Sequence, residues 1–283
     1  MTTPARGSVK AVVFDLDGLL LDTETIYTEI IRRKLAQHGK DFTWDIKAKM
    51  MGKPESEARR VLLQQIWPDP SALNGIHSSC PFPLLETQEE REDQETIQAL
   101  ISTKPLPGAL RLVRHLAKHN VPMAIASGST GGPLLLKRMK NSALFDPFGN
   151  RIIMGDDPRL SRDKPNPDIF ILAAHTLLGS SAVGEDVEGA TDELTLADNI
   201  RSWGPEHDEG GLKGGEEHVL VFEDGIFGVK AGIAAGMKVI WVPDSNLKKI
   251  SLPGQELGAD QVLDSLEAFV PEEWGLPPFE GED

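Results

Sequence analysis

The stretch Val12-Val13-Phe14-Asp15-Leu16-Asp17-Gly18-Leu19-Leu20-Leu21-Asp22-Thr23-Glu24 decides the fold. Residues 11–14 form a short apolar run, β-branched and aromatic, which predicts a strand buried on both faces. Asp15 falls where that strand ends. In an open parallel α/β sheet the carboxyl ends of the strands line the ligand crevice, so Asp15 is expected there. Gly18 allows a tight turn. An Asp-x-Asp-Gly run also occurs in calcium loops and ordinary turns, so the other strand ends must decide what this one means.

Downstream, Asp22 or Thr23 can cap a helix with Ile26, Ile30, Ile31 and Leu35 on one face and Gly39 at its stop. Trp44 and residues 45–51 follow. Pro54 suits the first turn of a new helix, striped by Ala58, Val61, Leu62 and Ile66. Residues 84–101 read as a very polar helix whose acidic run is a solvated face. The segment 22–103 is therefore all-helical between two parts with α/β character. It reads as a helical domain inserted into a sheet domain that comprises 9–21 and 104–283. Residues 104–108 form the return linker.

From Ala109 the α/β rhythm begins. Strands are expected at 121–126, 152–154, 219–222 and 239–242, with helices at 109–117, 134–140, 169–178 and 229–236. With the first strand this makes five, alternating with helices, and implies a doubly wound parallel sheet. Residues 180–217 break the rhythm. They are rich in Gly, Asp and Glu, and read as a disordered acidic insertion with a marginal helix near 194–203. It should emerge at the amino ends of the strands, away from Asp15.

The 283 residues suffice for a sizeable core, and 40% hydrophobic with 26% charged residues is ordinary for a globular chain. A formal net charge of −15 repels phosphate backbones, which argues against nucleic acid as a partner. An anionic substrate must then be drawn by local cations. The one cysteine, Cys80, cannot form an internal disulfide, which suits a reducing, cytoplasmic setting. No apolar run approaches the ~20 residues of a membrane span, so no membrane partner is expected. A monomer or weak oligomer is expected. His115, His119 and His175 lack partners with metal-ligand spacing and receive no role.

Polar groups recur at the strand ends. Asp15 and Asp17 follow the first, and Ser127 with the amides of Gly128 and Ser129 the second. Lys164 follows the third, and Glu223 and Asp224 the fourth. Together these are what phosphoryl transfer needs. A carboxylate can attack phosphorus, and a second carboxyl can protonate the leaving oxygen and then activate water. Clustered carboxylates call for a hard cation such as magnesium. The hydroxyl and amides at Ser127 and Gly128 can hold phosphate oxygens, and Lys164 supplies a point charge.

In order and type these four motifs resemble those of the haloacid dehalogenase superfamily of phosphatases and mutases. They stand here as Asp15-Leu16-Asp17-Gly18, Ser127-Gly128-Ser129, Lys164-Pro165-Asn166-Pro167-Asp168 and Glu223-Asp224. The resemblance implies a Rossmann-like α/β core with an inserted helical cap. It makes Asp15 the nucleophile and Asp17 the general acid/base, with Ser127, Gly128 and Lys164 on the phosphoryl group. Magnesium would be held by Asp15, Asp17 through its carbonyl, and Asp224, with Glu223 in or next to that shell. Finer likenesses, such as Trp44-Asp45, Met51-Gly52-Lys53 and Gly155-Asp156-Asp157-Pro158, resemble the eukaryotic pseudouridine-5′-phosphatases. Lys53 then becomes a candidate for reaching substrate from the cap. The expected activity is a magnesium-dependent phosphomonoester hydrolase working through an aspartyl-phosphate. Pseudouridine 5′-phosphate or a similar sugar or nucleoside phosphate is the first expected substrate. Hexose or glycerol phosphates, or a β-phosphoglucomutase-like transfer, are the alternatives.

Overall fold

A computed structural model describes residues 8–50, 55–67, 94–178, 216–250 and 257–280. Its centre is a six-stranded sheet in the order β3-β2-β1-β4-β5-β6, and every pairing is parallel. The strands are β1 (Ala11–Phe14), β2 (Met123–Ser127), β3 (Ile152–Met154), β4 (Val219–Glu223), β5 (Lys238–Trp241) and β6 (Gln261–Val262). β1 is the middle of the fold. It pairs with β2 through Val12–Met123 and with β4 through Val12–Leu220. The strand order reverses between β1 and β4, and their carboxyl ends therefore flank a topological switch point. The sheet has one strand more than the expected five. β6 is only two residues long and half-buried, too short to carry a periodicity signal.

The sheet is buried on both faces, which explains why β1 reads as a continuous apolar run. Val12 and Phe14 point into one core, where the Phe14 ring stacks on Phe222 at 5.1 Å and Phe148 meets it edge-on. Ala11 and Val13 point into the other, against Phe170, Val221 and Val239. Truncating a ring such as Phe14 would cost about 3–5 kcal/mol on the usual scale for core aromatics.

Among the described residues, the helices between β1 and β2 are α1 (Thr23–Ala36), α2 (Trp44–Met50), α3 (Glu55–Ile66) and α4 (Gln94–Ile101). Asp22 caps α1, accepting from the Thr25 amide at 3.2 Å. Ile31, Leu35, Phe42, Leu62 and Ile66 form a third core among these helices, separate from the two sheet cores. The departing and returning chains run side by side. The Asp22 amide donates to Lys104 O at 2.9 Å, and the Leu106 amide to Leu20 O at 3.0 Å.

The second half alternates as expected: α5 (Ala109–Lys118), α6 (Gly131–Arg138), α7 (Ser142–Phe145), α8 (Asp168–Leu178), α9 (Ile226–Ala234) and α10 (Ser245–Ile250). The acidic insertion expected over 180–217, with its marginal helix, falls outside the described residues except for Glu216 and Glu217. Those two open a 3₁₀ turn, Glu216–His218, whose last carbonyl accepts from the Lys10 amide at 2.8 Å. The turn leads into the amino end of β4, opposite Asp15.

Candidate active site

The sheet supplies the frame. Asp15 follows Phe14 directly, and its amide donates to Phe222 O at 3.0 Å, which continues the β1–β4 ladder by one step. Glu223 ends β4, and Asp224 follows it. Gly18 has φ +86°, and a Cβ there would stand 2.3 Å from Asp224 Oδ2. The turn after Asp17 therefore needs glycine twice, for its backbone and for the room it leaves to Asp224.

Lys164 arrives on the loop between β3 and α8. That loop is pinned by Arg162, whose guanidinium grips the fully buried Asp168 carboxylate at 2.7 Å and 3.2 Å. The Lys164 ammonium donates to Asp15 Oδ1 at 2.7 Å, to Glu223 Oε1 at 2.6 Å and to Ala126 O at 3.0 Å. All three donors have acceptors, so the side chain is aimed.

Around this ammonium the carboxylates are crowded. Asp15, Glu223 and Asp224 each present an oxygen within 4.8 Å of the others. Three carboxylates face one ammonium, which leaves two formal negative charges uncompensated. Burial, then Glu223 and Asp17, push Asp15 up to about 7 despite Lys164. Burial, then Asp15, Glu223 and Glu24, push Asp224 well above the usual carboxylate range. Burial alone would lower Lys164, but Asp15 and Glu223 outweigh it and hold its ammonium above the ordinary range. This set of hard oxygen donors with excess negative charge fits a magnesium ion.

Asp17 sits in a different setting. Its Oδ1 accepts from Lys137 on α6 at 2.5 Å. Its Oδ2 accepts from Ser129 Oγ at 2.6 Å and Ser127 Oγ at 3.2 Å. Burial would raise Asp17, yet the Lys137 ammonium and its hydrogen bond, with that of Ser129, hold it below the usual range. The two aspartates of one motif are thus driven in opposite directions: without a cation beside them, Asp15 is pushed toward its protonated form and Asp17 toward its ionised form.

Asp15, Asp17, Ser127, Gly128, Lys164, Glu223 and Asp224, all expected at the site, line one cavity of about 400 Å³. Lys53 lies outside the described residues. The cavity adds groups that sequence reasoning missed: Ser129 by its hydroxyl, Glu24, Tyr27 and Thr28 on α1, and Lys47 on α2. Lys47 Nζ bridges Glu24 Oε2 at 3.1 Å and Thr28 Oγ1 at 2.7 Å. It is the cation that the helical segment offers to the cavity among the described residues. Lys47 sits on a short polar helix, and nothing in its spacing separates it from Lys49, which bonds Gln65 in the open.

Comparison with known proteins agrees with this geometry. A family model described as haloacid dehalogenase-like hydrolase matches residues 9–187. A (DL)-glycerol-3-phosphatase of Arabidopsis thaliana is 37% identical over 98% of this chain and 96% of its own. A protein of Saccharomyces cerevisiae named a probable pseudouridine-5′-phosphatase is 32% identical over 98% of this chain and 100% of its own. Among solved structures, a hydrolase of the same family from Deinococcus radiodurans, with bound phosphate and sodium, superposes with a TM-score of 0.60. It is 23% identical over 96% of this chain and 100% of its own. Fold, strand-end carboxylates and full-length similarity agree: the chain belongs to the haloacid dehalogenase-like hydrolase family.

Proposed function

We propose that this protein is a magnesium-dependent phosphomonoester hydrolase acting on a small phosphorylated metabolite through an aspartyl-phosphate on Asp15. The observation that carries this is the convergence of Asp15, Asp17, Ser127, Lys164, Glu223 and Asp224 on one cavity at the switch point. The helical segment 22–103 acts as a cap over a core made of 9–21 and 104–283. Closure of the cap sequesters the phosphate from water.

In the first half-reaction Asp15 attacks phosphorus, and the bond from phosphorus to the ester oxygen breaks. Lys164 holds the Asp15 carboxylate in line and, with Ser127 and the Gly128 amide, receives phosphoryl oxygens. Asp17 delivers its proton to the leaving oxygen. In the second half Asp17 takes a proton from water, which attacks the phosphorus of the aspartyl-phosphate. Lys137 keeps Asp17 ionised in the free protein. An incoming phosphate adds negative charge beside it and pushes its proton affinity back up, so that Asp17 takes up from solvent the proton it then delivers. Asp15, Asp224 and Glu223, with the Asp17 carbonyl, would hold magnesium. When bound, the ion supplies positive charge to the phosphoryl oxygens and screens the carboxylates from one another.

For the substrate, the greater identity to the glycerol-3-phosphatase, 37% against 32%, favours a polyol phosphate over a nucleoside phosphate. Thr28 and the Lys47–Glu24 pair suit hydroxyl groups. The second reading is pseudouridine 5′-phosphate. Tyr27 and Phe227 line the same cavity and could stack on a base. Phosphate release with magnesium, with and without EDTA, from glycerol 3-phosphate, pseudouridine 5′-phosphate, a hexose 6-phosphate and β-glucose 1-phosphate tests both. The expected result is stoichiometric release, abolished by EDTA, with the highest kcat/KM on glycerol 3-phosphate. No magnesium-dependent release from any ester would overturn the hydrolase. Transfer without release would make it a mutase.

A further inference from the structure

Lys137 carries no assignment in the motifs above, yet its side chain is completely buried. Lysine ordinarily runs its stem along apolar surface and leaves the ammonium in water. Enclosing that charge is costly unless its partners are well placed. Here Nζ donates to Asp17 Oδ1 and lies 5.6 Å from the centroid of the Tyr27 ring. The other Asp17 oxygen is held by Ser129 and Ser127. Both oxygens of the carboxylate are therefore gripped from the segment that runs from the end of β2 into α6.

The base of this grip is also tied. The Asn141 side-chain amide is buried and donates to Lys137 O at 2.8 Å and to Thr103 O at 2.9 Å. Thr103 lies just past α4, where the helical segment returns, and Tyr27 lies on α1, where it departs. The ammonium and its helix thus touch both ends of the cap. An ion pair kept only for stability could be replaced by apolar packing at little loss. A carboxylate that must pass a proton to one oxygen needs its direction set, since small misplacements cost large factors in rate.

We propose that Lys137 is a positioning residue: with Ser129 it aims the Asp17 carboxylate at the leaving oxygen, and Tyr27 ties that aim to the position of α1. This rests on the reading of Asp17 as the acid/base. No bond forms or breaks at Lys137. The proton passes from Asp17 to the leaving oxygen and later from water to Asp17, while Lys137 only holds the carboxylate in place.

The leaving group separates this role from a structural one. p-Nitrophenolate departs without a proton, whereas the alkoxide of glycerol 3-phosphate needs one. kcat/KM reports events through phosphoryl transfer. Lys137→Met should lose about tenfold or more on glycerol 3-phosphate and at most about threefold on p-nitrophenyl phosphate, within the range of general acid catalysis. Asp17→Asn should show the same skew, larger. The double variant should be no slower on glycerol 3-phosphate than Asp17→Asn alone. Equal losses on the two esters, or additive losses in the double variant, would overturn the proposal. If Asp17→Asn shows no skew, the acid/base reading itself fails and the proposal falls with it. Should Lys137→Met not fold, Lys137→Gln keeps a donor near Asp17 without the charge, and the same ratio decides.

Discussion

Glu223 folds its carboxylate directly over Gly228: a Cβ on Gly228 would stand 1.7 Å from Glu223 Oε1. The same oxygen accepts from Lys164 at 2.6 Å, and Oε2 accepts from the Gly225 amide at 3.0 Å. The missing side chain on α9 is thus what lets Glu223 reach the lysine. Gly228→Ala should push Glu223 off Lys164. Overpacking of this kind costs about 1–3 kcal/mol. Thermal unfolding should show that loss, and kcat/KM should fall more than a matched alanine elsewhere in α9 produces. A variant with unchanged activity and melting temperature would contradict the placement of Glu223.

Asp224 and Asp15 are both held above the ordinary carboxylate range by burial and by neighbouring carboxylates, Glu223 common to both. A dication relieves that repulsion. Asp224→Asn removes one of the three charged donors. The magnesium concentration for half-maximal activity should rise by about 10–100-fold, the scale seen for disturbed metal sites. Activity should recover at high magnesium. An unchanged magnesium titration would remove Asp224 from the metal shell.

Asp15 also leaves a mark on stability. Its folded value of about 7 lies above the 3.8 it has when exposed. A carboxyl raised in the folded state contributes stability that is full below the unfolded value and is lost as pH rises through the folded one. In EDTA the melting temperature should therefore fall between about pH 4 and pH 7 on this account. Asp15→Asn cannot ionise and should lack that part of the fall, and magnesium should reverse it in the wild type. Parallel curves for the two proteins would show that Asp15 ionises freely.

Lys47 is held between Glu24 and Thr28 at the cavity wall, and its side chain is 14% exposed. Removing the ammonium leaves the Glu24 carboxylate facing an anionic substrate. Lys47→Met should raise KM several-fold with kcat within about twofold, the signature of lost uniform binding. A fall in kcat at constant KM would give Lys47 a part in the chemistry instead.

The strands and the four strand-end motifs were legible because each rests on local pattern. Residues 11–14 and 152–154 are continuous apolar runs; at β1, β2 and β4 the polar group stands at the strand end, and Lys164, further on in the loop after β3, is marked by its Lys-Pro-Asn-Pro-Asp run. The network that aims these groups was not legible. Lys137 lies within a stretch, 134–140, that reads only as a helix, and its partner is 120 residues away. Lys47 and Lys49 look alike in sequence, and only packing turns one toward Thr28 on α1 and the other toward Gln65 on α3. Gly228 reads as one small residue among several in α9. Its meaning depends on where Glu223 turns after β4. Pairings made by tertiary packing leave no periodicity to read.

The most direct test of the account is to catch the phosphoryl group on the enzyme. Wild type with magnesium and a turned-over ester, quenched in acid within a single turnover, should yield a phosphoryl adduct on the peptide that carries Asp15. Asp15→Asn, folded to the same melting profile, should yield neither adduct nor phosphate. Full turnover with no covalent adduct at any quench time, or turnover by Asp15→Asn, would contradict it.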